Sequence, residues 1–485
     1  MIIWREDASG VWAPYTRFGD IGGNLGGSIG GNLLGFTCGC VSGDGLAVLG
    51  VGYGGSFHLW RKGAESDAER WQPHSYLTGH FGCVSDLAWA SDGGYFVTVS
   101  SDQTTRLFAP VLSTGASRRC WKELSRPQVH GFDLNAVAIS PLPAHTIYSA
   151  GDEKIIRAFD ATSGVLLGLE RLSGLSYGGD EATAANRVDH AFIPELGLSN
   201  KPSEQMTAAE KSELQARNVS SLTWVTPPLE SQLSDHTIWP ESRKLYGHTN
   251  DVICIALSSS GRLLASACKS RNSQTAGIII WDTSSMAAVQ TLYAHESTVA
   301  CLRFSSDDTF LASSGKDRIL CAYAFDKASE RLFKVAAATR NAHRRIVWDC
   351  SWSDDHVLFT SSRDGSFKLW TIDRKCDDIY NSFSCICTHT PFCEVAVTSI
   401  DAICTAQGRT LLVLGSELGD IHIAEVTRRG AEFVVALLLR VDDILAHGSA
   451  VKRARWCKGA RGSAGAALLA TCGADTTTRV FKISF

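Results

Sequence analysis

The 485-residue sequence predicts an all-β fold: a seven-bladed β-propeller preceded by one extra blade-like unit. Three observations carry this. A histidine recurs with apolar residues at the same distances behind it. Each recurrence runs through a polar turn into further short runs of strand character. From His248 to His295 is 47 residues and from His295 to His343 is 48, near the period of about 40–45 residues for a four-stranded blade.

Counting from each histidine gives the register. Apolar residues fall four, seven and nine positions after His80 (Val84, Leu87, Trp89) and after His130 (Leu134, Val137, Ile139). His248 (Val252, Ile255, Leu257) and His295 (Val299, Leu302, Phe304) repeat the count. So do His343 (Val347, Cys350, Trp352) and His447 (Val451, Ala454, Trp456). The turns SDGG, SSSGR, SSDDT and SDDH then lead into second and third strands. In four units an Asp stands six residues before an aromatic: Asp102 and Phe108, Asp317 and Tyr323, Asp364 and Trp370, Asp475 and Phe481.

The units follow in order along the chain. The 118 residues from His130 to His248 hold one unit and a long insertion at about 161–244. The 104 residues from His343 to His447 hold two units, the second a degenerate one at 398–426 without its histidine. A single unit cannot bury both faces, so the blades stack into a ring. The final unit, ending TTTRVFKISF, shows three strands, and WQPHSYL (71–77) is expected to add the fourth. That would close the ring without an open edge. Residues 71–485 are then the seven-bladed ring. Residues 1–70 read as the remnant of a preceding propeller, with a blade-like unit at 34–62, a Gly-rich loop at 19–35 and an opening MIIW like the tail of another blade. A single ring of eight blades is the alternative.

Composition narrows the class. Net charge is -4, so no global basic field favours non-specific nucleic-acid binding. The N-terminus turns charged after four residues, unlike a signal peptide, and FVVALLLRV (433–441) is strand-length and carries Arg440. Sixteen cysteines without a secretory signal read as reduced thiols, and a soluble protein of the cytosol or nucleus is expected. No Walker loop, HExxH or nucleophile elbow occurs, and the glycines at 19–35 lack a strand–turn–helix context. No cofactor and no small-molecule substrate are expected.

His80, Thr98 and Asp102 are the side-chain types of a hydrolase triad. The set recurs blade after blade, whereas an enzyme needs its site once, so these residues read as structural and the chain as non-catalytic. The pairs GH at 79–80 and 247–248 and WD at 281–282 are similar to the WD-repeat family. That resemblance implies a hydrogen-bonded tetrad of His, Ser or Thr, Asp and an aromatic in each blade. The tetrads would be His80, Thr98, Asp102 and Phe108; His295, Ser313, Asp317 and Tyr323; His343, Thr360, Asp364 and Trp370; and His447, Thr471, Asp475 and Phe481.

Other stretches resemble one WD-repeat family in particular, the Elongator complex subunit 2 family. They are GHFGCVSDLAWASDGGYFVTVSSDQTTRLFAP (79–110), RPQVHGFDLNAVA (126–138), PELGLSNKP (194–202), TIWPESRKLYGH (237–248), LLASACK (263–269) and RRIVWDCSWSDD (344–355). Two of them lie in the insertion, where a generic propeller has no reason to keep them. The resemblance implies the last blade of a first propeller plus a whole second one. It also implies a non-catalytic scaffold that binds the largest and the catalytic subunits of a complex modifying tRNA wobble uridines at carbon 5. A generic adaptor of another complex is the alternative.

Three local features bear on function. Arg344, Arg345, Lys452, Arg453 and Arg455 follow blade histidines and could gather on one rim as a tRNA or partner contact, or be ordinary solvated and paired side chains. Trp348 is the aromatic placed for base stacking there. Cys376, Cys385, Cys387, His389 and Cys393 have a metal-like composition, but their spacing departs from the C-x2-C pairs of structural zinc, so they read as thiols. SEQMTAAEKSELQARN (203–218) has helix propensity and reads as a solvated loop or a docking segment.

Overall fold

The computed structural model describes all residues except 19–35, 53–54, 64–70, 113–118, 178–186, 194–199, 203–204, 206–223, 327–331, 354–355, 373–381, 393–394, 406, 430–431, 460–464 and 485. Among the described residues seven blade sheets of antiparallel strands follow residue 80, besides a two-stranded sheet of Ala191–Phe192 and Lys201–Pro202. Blade 1 is Val84–Trp89, Phe96–Ser100, Thr104–Leu112 and Arg119–Val129; blade 2 is Leu134–Ile139, Thr146–Gly151, Ile155–Asp160 and Glu241–Tyr246. Blades 3 to 6 begin at Val252–Leu257, Val299–Phe304, Val347–Trp352 and Val397–Cys404, each with four strands in sequence order. Blade 7 is Val451–Trp456, Ala466–Gly473 and Thr478–Ser484. The first strand of each blade is innermost. It neighbours the first strand of the next blade, and Val451–Trp456 returns to Val84–Trp89. The fold is thus a seven-bladed propeller, with a further four-stranded unit ahead of it at Phe36–Val41, Ala47–Gly52, Phe57–Lys62 and Trp71–His74.

The core lies between blades, as the repeat demands. Apolar faces of neighbouring sheets interdigitate: Cys254, Ile278 and Ile280 of blade 3 with Leu302, Leu311 and Tyr323 of blade 4, and Phe359 and Leu369 of blade 5 with Ile400 and Leu412 of blade 6. Fully buried strands lose the simple alternation of half-buried ones; Phe96–Ser100 and Ile278–Asp282 are buried at every position. Each inner strand carries a bulge near its start, as between Val84 and Asp86 or Val299 and Cys301. The bulge re-aims the strand where it enters the crowded centre.

Ring closure differs from the sequence expectation. Trp71–His74 does not complete blade 7; it pairs with Phe57–Lys62, Leu59 opposite His74 and Lys62 opposite Trp71. A strand close in sequence costs less loop entropy to pair than one at the far end of the chain. Trp71 also gains ring contacts, its centroid 5.3 Å from that of Phe18. Blade 7 joins blade 1 through packing of Ala470 and Cys472 on Val84 and Leu87, and through Trp89 Nε1 donating to the Arg455 carbonyl at 3.0 Å. The opening Ile2–Glu6 forms a two-stranded hairpin with Trp12–Arg17.

The long insertion leaves blade 2 between its third and fourth strands, and residues 241–244, expected inside it, belong to the fourth strand. Its described part includes helices Ser163–Ser173 and Glu230–His236. The first starts where Thr162 Oγ1 accepts from the Val165 amide and stops at Gly174, whose φ of 66° is the left-handed cap that glycine takes without a Cβ clash. The segment 203–218, expected to be a solvated loop or a docking segment, lies outside the described residues except for Gln205. No described helix is long and apolar enough to cross a membrane.

Candidate functional site

Antiparallel pairing puts the loop entering each inner strand and the loop between second and third strands at the same end of a blade. Each blade histidine lies in the former and each aspartate in the latter, so both meet on one face of the ring. His80 Nε2 lies 2.7 Å from Thr98 Oγ1 and Nδ1 2.8 Å from Asp102 Oδ2. In blade 4 His295 lies 2.7 Å from Ser313 Oγ and 3.0 Å from Asp317 Oδ2. In blade 5 His343 lies 2.8 Å from Thr360 Oγ1 and 3.2 Å from Asp364 Oδ2, and in blade 7 His447 lies 2.9 Å from both Thr471 Oγ1 and Asp475 Oδ1. Each aspartate also accepts the amide that follows its histidine: Phe81, Glu296, Arg344 and Gly448. The tetrad therefore ties two loops and two strands together.

The aromatic member contributes unevenly. Trp370 Nε1 donates to Thr360 Oγ1 at 2.9 Å. Phe108 and Phe481 have no side-chain donor, so in those blades the aromatic adds packing but no hydrogen bond to the hydroxyl. Tyr323 is fully buried in the core shared by blades 3 and 4.

Two variants escaped the sequence reading. In blade 2 a glutamate replaces the aspartate: His130 Nε2 lies 2.9 Å from Glu153 Oε1, which Arg157 Nε holds at 2.7 Å. In blade 3 His248 Nε2 and Trp281 Nε1 both lie 2.7 Å from Ser266 Oγ, and among the described residues no carboxylate reaches the imidazole. The one-residue shift and the changed residue type hide Glu153 from a search for Asp.

Electrostatics agree with a fastener. Burial would raise the Asp102 carboxyl, but His80 and then Arg106 hold it well below the usual range. Burial lowers His80 below its ordinary value, against the pull of Asp102. Thr98, Ser313, Thr360 and Thr471 are fully buried. A nucleophile must meet its substrate, and these hydroxyls meet only protein.

The centre of the ring holds a second polar system that the sequence did not announce. Arg455 of blade 7 reaches Asp349 of blade 5, with Nη1 2.7 Å from Oδ2 and Nη2 3.1 Å from Oδ1. Asp349 also accepts from Ser399 Oγ and the Ile400 amide of blade 6. Asp401 accepts from Ser351 Oγ at 2.8 Å and from the Trp456 amide at 2.9 Å. Of these residues Asp401, Arg455 and Trp456 border a central cavity of about 270 Å³, whose lining also includes Asp86, Arg303 and Arg453.

This placement corrects the expected basic rim. Arg455 is buried and committed to Asp349, and Arg453 pairs with Asp86 at 3.3 Å. Both lie on the inner strand, where a side chain faces the cavity. Arg344, Arg345 and Lys452 do face solvent, and Lys269, Arg271, Lys316, Arg318 and Arg363 join them as exposed groups in the same set of loops. Trp348 is only half-exposed, whereas Phe81, Phe132, Tyr246 and Tyr293 stand exposed at this end of their blades.

Of the metal-like cluster, Cys385, Cys387 and His389 lie on the outer strand Phe383–His389 of blade 5, while Cys376 and Cys393 lie outside the described residues. Among the described residues no group of three or more His, Cys, Asp or Glu is arranged to hold a metal ion.

The insertion is fixed to blade 1 by a buried ionic chain. Arg106 bridges Asp102 and Glu123, and Arg126 bridges Glu123 and Glu230 of the second helix, at 3.0 Å to each. Beside it Ser125 Oγ donates to the Thr237 carbonyl and accepts from Trp239 Nε1.

Four-stranded blades with His–hydroxyl–Asp fasteners define a WD-repeat propeller protein. Residues 71–108, 239–282, 286–323 and 336–371 match the family described as WD domain, G-beta repeat. Along its whole length the chain is similar to "Elongator complex protein 2" of Drosophila melanogaster (34% identical, covering 60% of that protein). It is similar over the same full length to the proteins of that name from Arabidopsis thaliana (35%, covering 60%) and Saccharomyces cerevisiae (30%, covering 61%). The chain thus resembles the Elongator complex protein 2 family along its whole length, and it spans about 60% of the length of these relatives.

Proposed function

We propose that the chain is a non-catalytic scaffold of the Elongator complex. It would bind the largest subunit and the catalytic subunit and so support carbon-5 modification of tRNA wobble uridines. The observation that carries this is the use of the polar residues: His, Ser or Thr and Asp are repeated and spent on holding blades, and what remains for solvent is a broad loop face. Rigid rings with variable loops on one face serve recognition. The blade-like unit at 36–74 fits the last blade of a first propeller, and the ring a second. The cytosol, and also the nucleus, are the compartments this role requires.

Co-expression with those two subunits followed by size-exclusion chromatography tests the reading. Co-elution in one peak is the expected result; a well-folded chain that elutes alone counts against it.

A second reading rests on the exposed cations of blades 3 to 5. Lys269, Arg271, Lys316, Arg318, Arg344, Arg345 and Arg363 lie in loops of one face, and Tyr293 stands exposed among them. Contact with tRNA phosphates would show as binding that weakens steeply with salt. Binding to tRNA that is absent at low salt would remove it.

A further inference from the structure

We propose that Cys301 and Cys350 are an oxidation site, which a hydroperoxide converts into a disulfide joining blades 4 and 5 at the centre of the ring.

Cys301 lies on the inner strand Val299–Phe304 and Cys350 on the inner strand Val347–Trp352, which pack side by side. Their sulfurs are 3.7 Å apart. A disulfide holds them at about 2.05 Å, so the approach still needed is roughly 1.6 Å. Both residues are buried, at 3% and 0% exposure, but only Cys301 lines the central cavity of about 270 Å³. The cavity is wide enough for a molecule the size of hydrogen peroxide. The two thiols therefore have different parts: Cys301 meets the oxidant, and Cys350 waits behind it.

The surroundings support this division. The Cys350 thiol donates toward Cys301 and lowers its pKa below the ordinary thiol value, favouring the thiolate, while burial and Asp349 act the other way and Arg303 and Arg453 assist. That same contact pushes Cys350 up. Cys301 Sγ also donates to Asp349 Oδ1 at 3.1 Å, and Arg455 neutralises much of that carboxylate's charge. Cys254, on the neighbouring inner strand, also lines the cavity, but burial holds its thiol well above the ordinary value and its sulfur faces the Val299 carbonyl at 3.5 Å.

The chemistry balances with hydrogen peroxide as the only co-reactant. The Cys301 thiolate attacks one peroxide oxygen; the O–O bond breaks, and the departing hydroxide takes up the thiol proton as water. Cys301 is then a sulfenic acid. The Cys350 sulfur attacks that sulfur, the S–O bond breaks, and the hydroxyl leaves with the Cys350 proton as a second water. Two thiols are oxidised by two electrons and one peroxide is reduced to two waters.

Native protein treated with hydrogen peroxide, alkylated and digested without reduction gives the test by mass spectrometry. The expected product is a peptide pair joined through Cys301 and Cys350, a loss of two free thiols, and reversal by dithiothreitol. Cys350→Ser should leave a sulfenic acid at Cys301 that dimedone captures; Cys301→Ser should leave neither bridge nor adduct. The wild-type map stands by itself if a variant fails to fold. Oxidation confined to the exposed Cys38, Cys40, Cys120, Cys385 and Cys404, a bridge between Cys254 and Cys301, or a dimedone adduct on Cys350 would each overturn the assignment.

Discussion

Arg455 and Asp349 meet across the centre of the ring as a two-pronged ion pair, with contacts of 2.7 and 3.1 Å and neither residue more than 6% exposed. The pair links blade 7 to blade 5 past blade 6, whose Ser399 and Ile400 amide bond the same carboxylate. Burial would raise Asp349, but Arg455, then Arg453 and Arg303, hold it well below the usual carboxylate range. Arg455→Met would leave that carboxylate buried without its partner. The expected loss is about 3–5 kcal/mol of unfolding free energy, read from urea denaturation. The double change Arg455→Met with Asp349→Leu should lose less than the sum of the single changes. Additive losses would show that the two residues act independently.

His248 predicts a pH window. Burial pushes its imidazole down to about 4 from the ordinary 6.5, and Ser266 rather than a carboxylate is its partner. As pH falls below 6.5 the unfolded chain takes up the proton before the folded one does. Stability from this group is therefore complete above pH 6.5 and declines between 6.5 and about 4, with no further loss below. The slope approaches about 1.4 kcal/mol per pH unit. His80, His343 and His447 are lowered too and add to the decline. His248→Asn should flatten the curve of stability against pH across that window; an unchanged slope would refute the assignment.

Trp370→Phe separates packing from the tetrad bond. It deletes the 2.9 Å bond to Thr360 while keeping an aromatic, the arrangement blades 1 and 7 already have with Phe108 and Phe481. A loss of roughly 1–3 kcal/mol is expected, from one hydrogen bond plus the volume between indole and phenyl. Thr360→Val in that background should then cost less than it does alone.

Arg126→Ala should release the insertion. Its guanidinium is the only described link between the buried carboxylates of Glu123 and Glu230, and without it two acids face each other in the interior. Limited proteolysis should cut near 224–240 faster than in the parent protein while the blades stay resistant. Equal cleavage rates would show that Ser125, Thr237 and Trp239 suffice.

The unit at 36–74 should be the first part to open. Its first strand, Phe36–Val41, is half-buried only at Phe36 and exposed from Thr37 to Val41, whereas the inner strands of the ring are mostly buried. Amide hydrogen exchange measures this directly. Protection at 36–62 equal to that of blade 4 would reject it.

Much of this molecule was legible in one dimension because the repeat forced it to be. Every blade must bury two faces, so the four-, seven- and nine-residue count behind His80 recurs behind His130, His248, His295, His343 and His447, in six of the seven blades. The tetrad positions follow from the same count, since the loop lengths between His295 and Asp317 and between His343 and Asp364 are nearly fixed by strand length. Glu153 escaped because one methylene more lets a different residue type reach the same imidazole. The helix Glu230–His236 escaped because it is held by Arg126 and Thr237, not by its own amphipathic pattern.

Local period and residue type fix the repeat, the order of its units and the His–hydroxyl–Asp sets of four blades, because each of these depends on spacing along one short stretch of chain. Tertiary structure alone decided where the ring joins, what Trp71–His74 pairs with, and that Arg455 faces inward to Asp349 instead of outward to solvent. Those outcomes depend on which strand edge lies nearest in space and which charge is left unpaired at the centre. Residues 106 positions apart in the chain meet there only after seven sheets have closed around them.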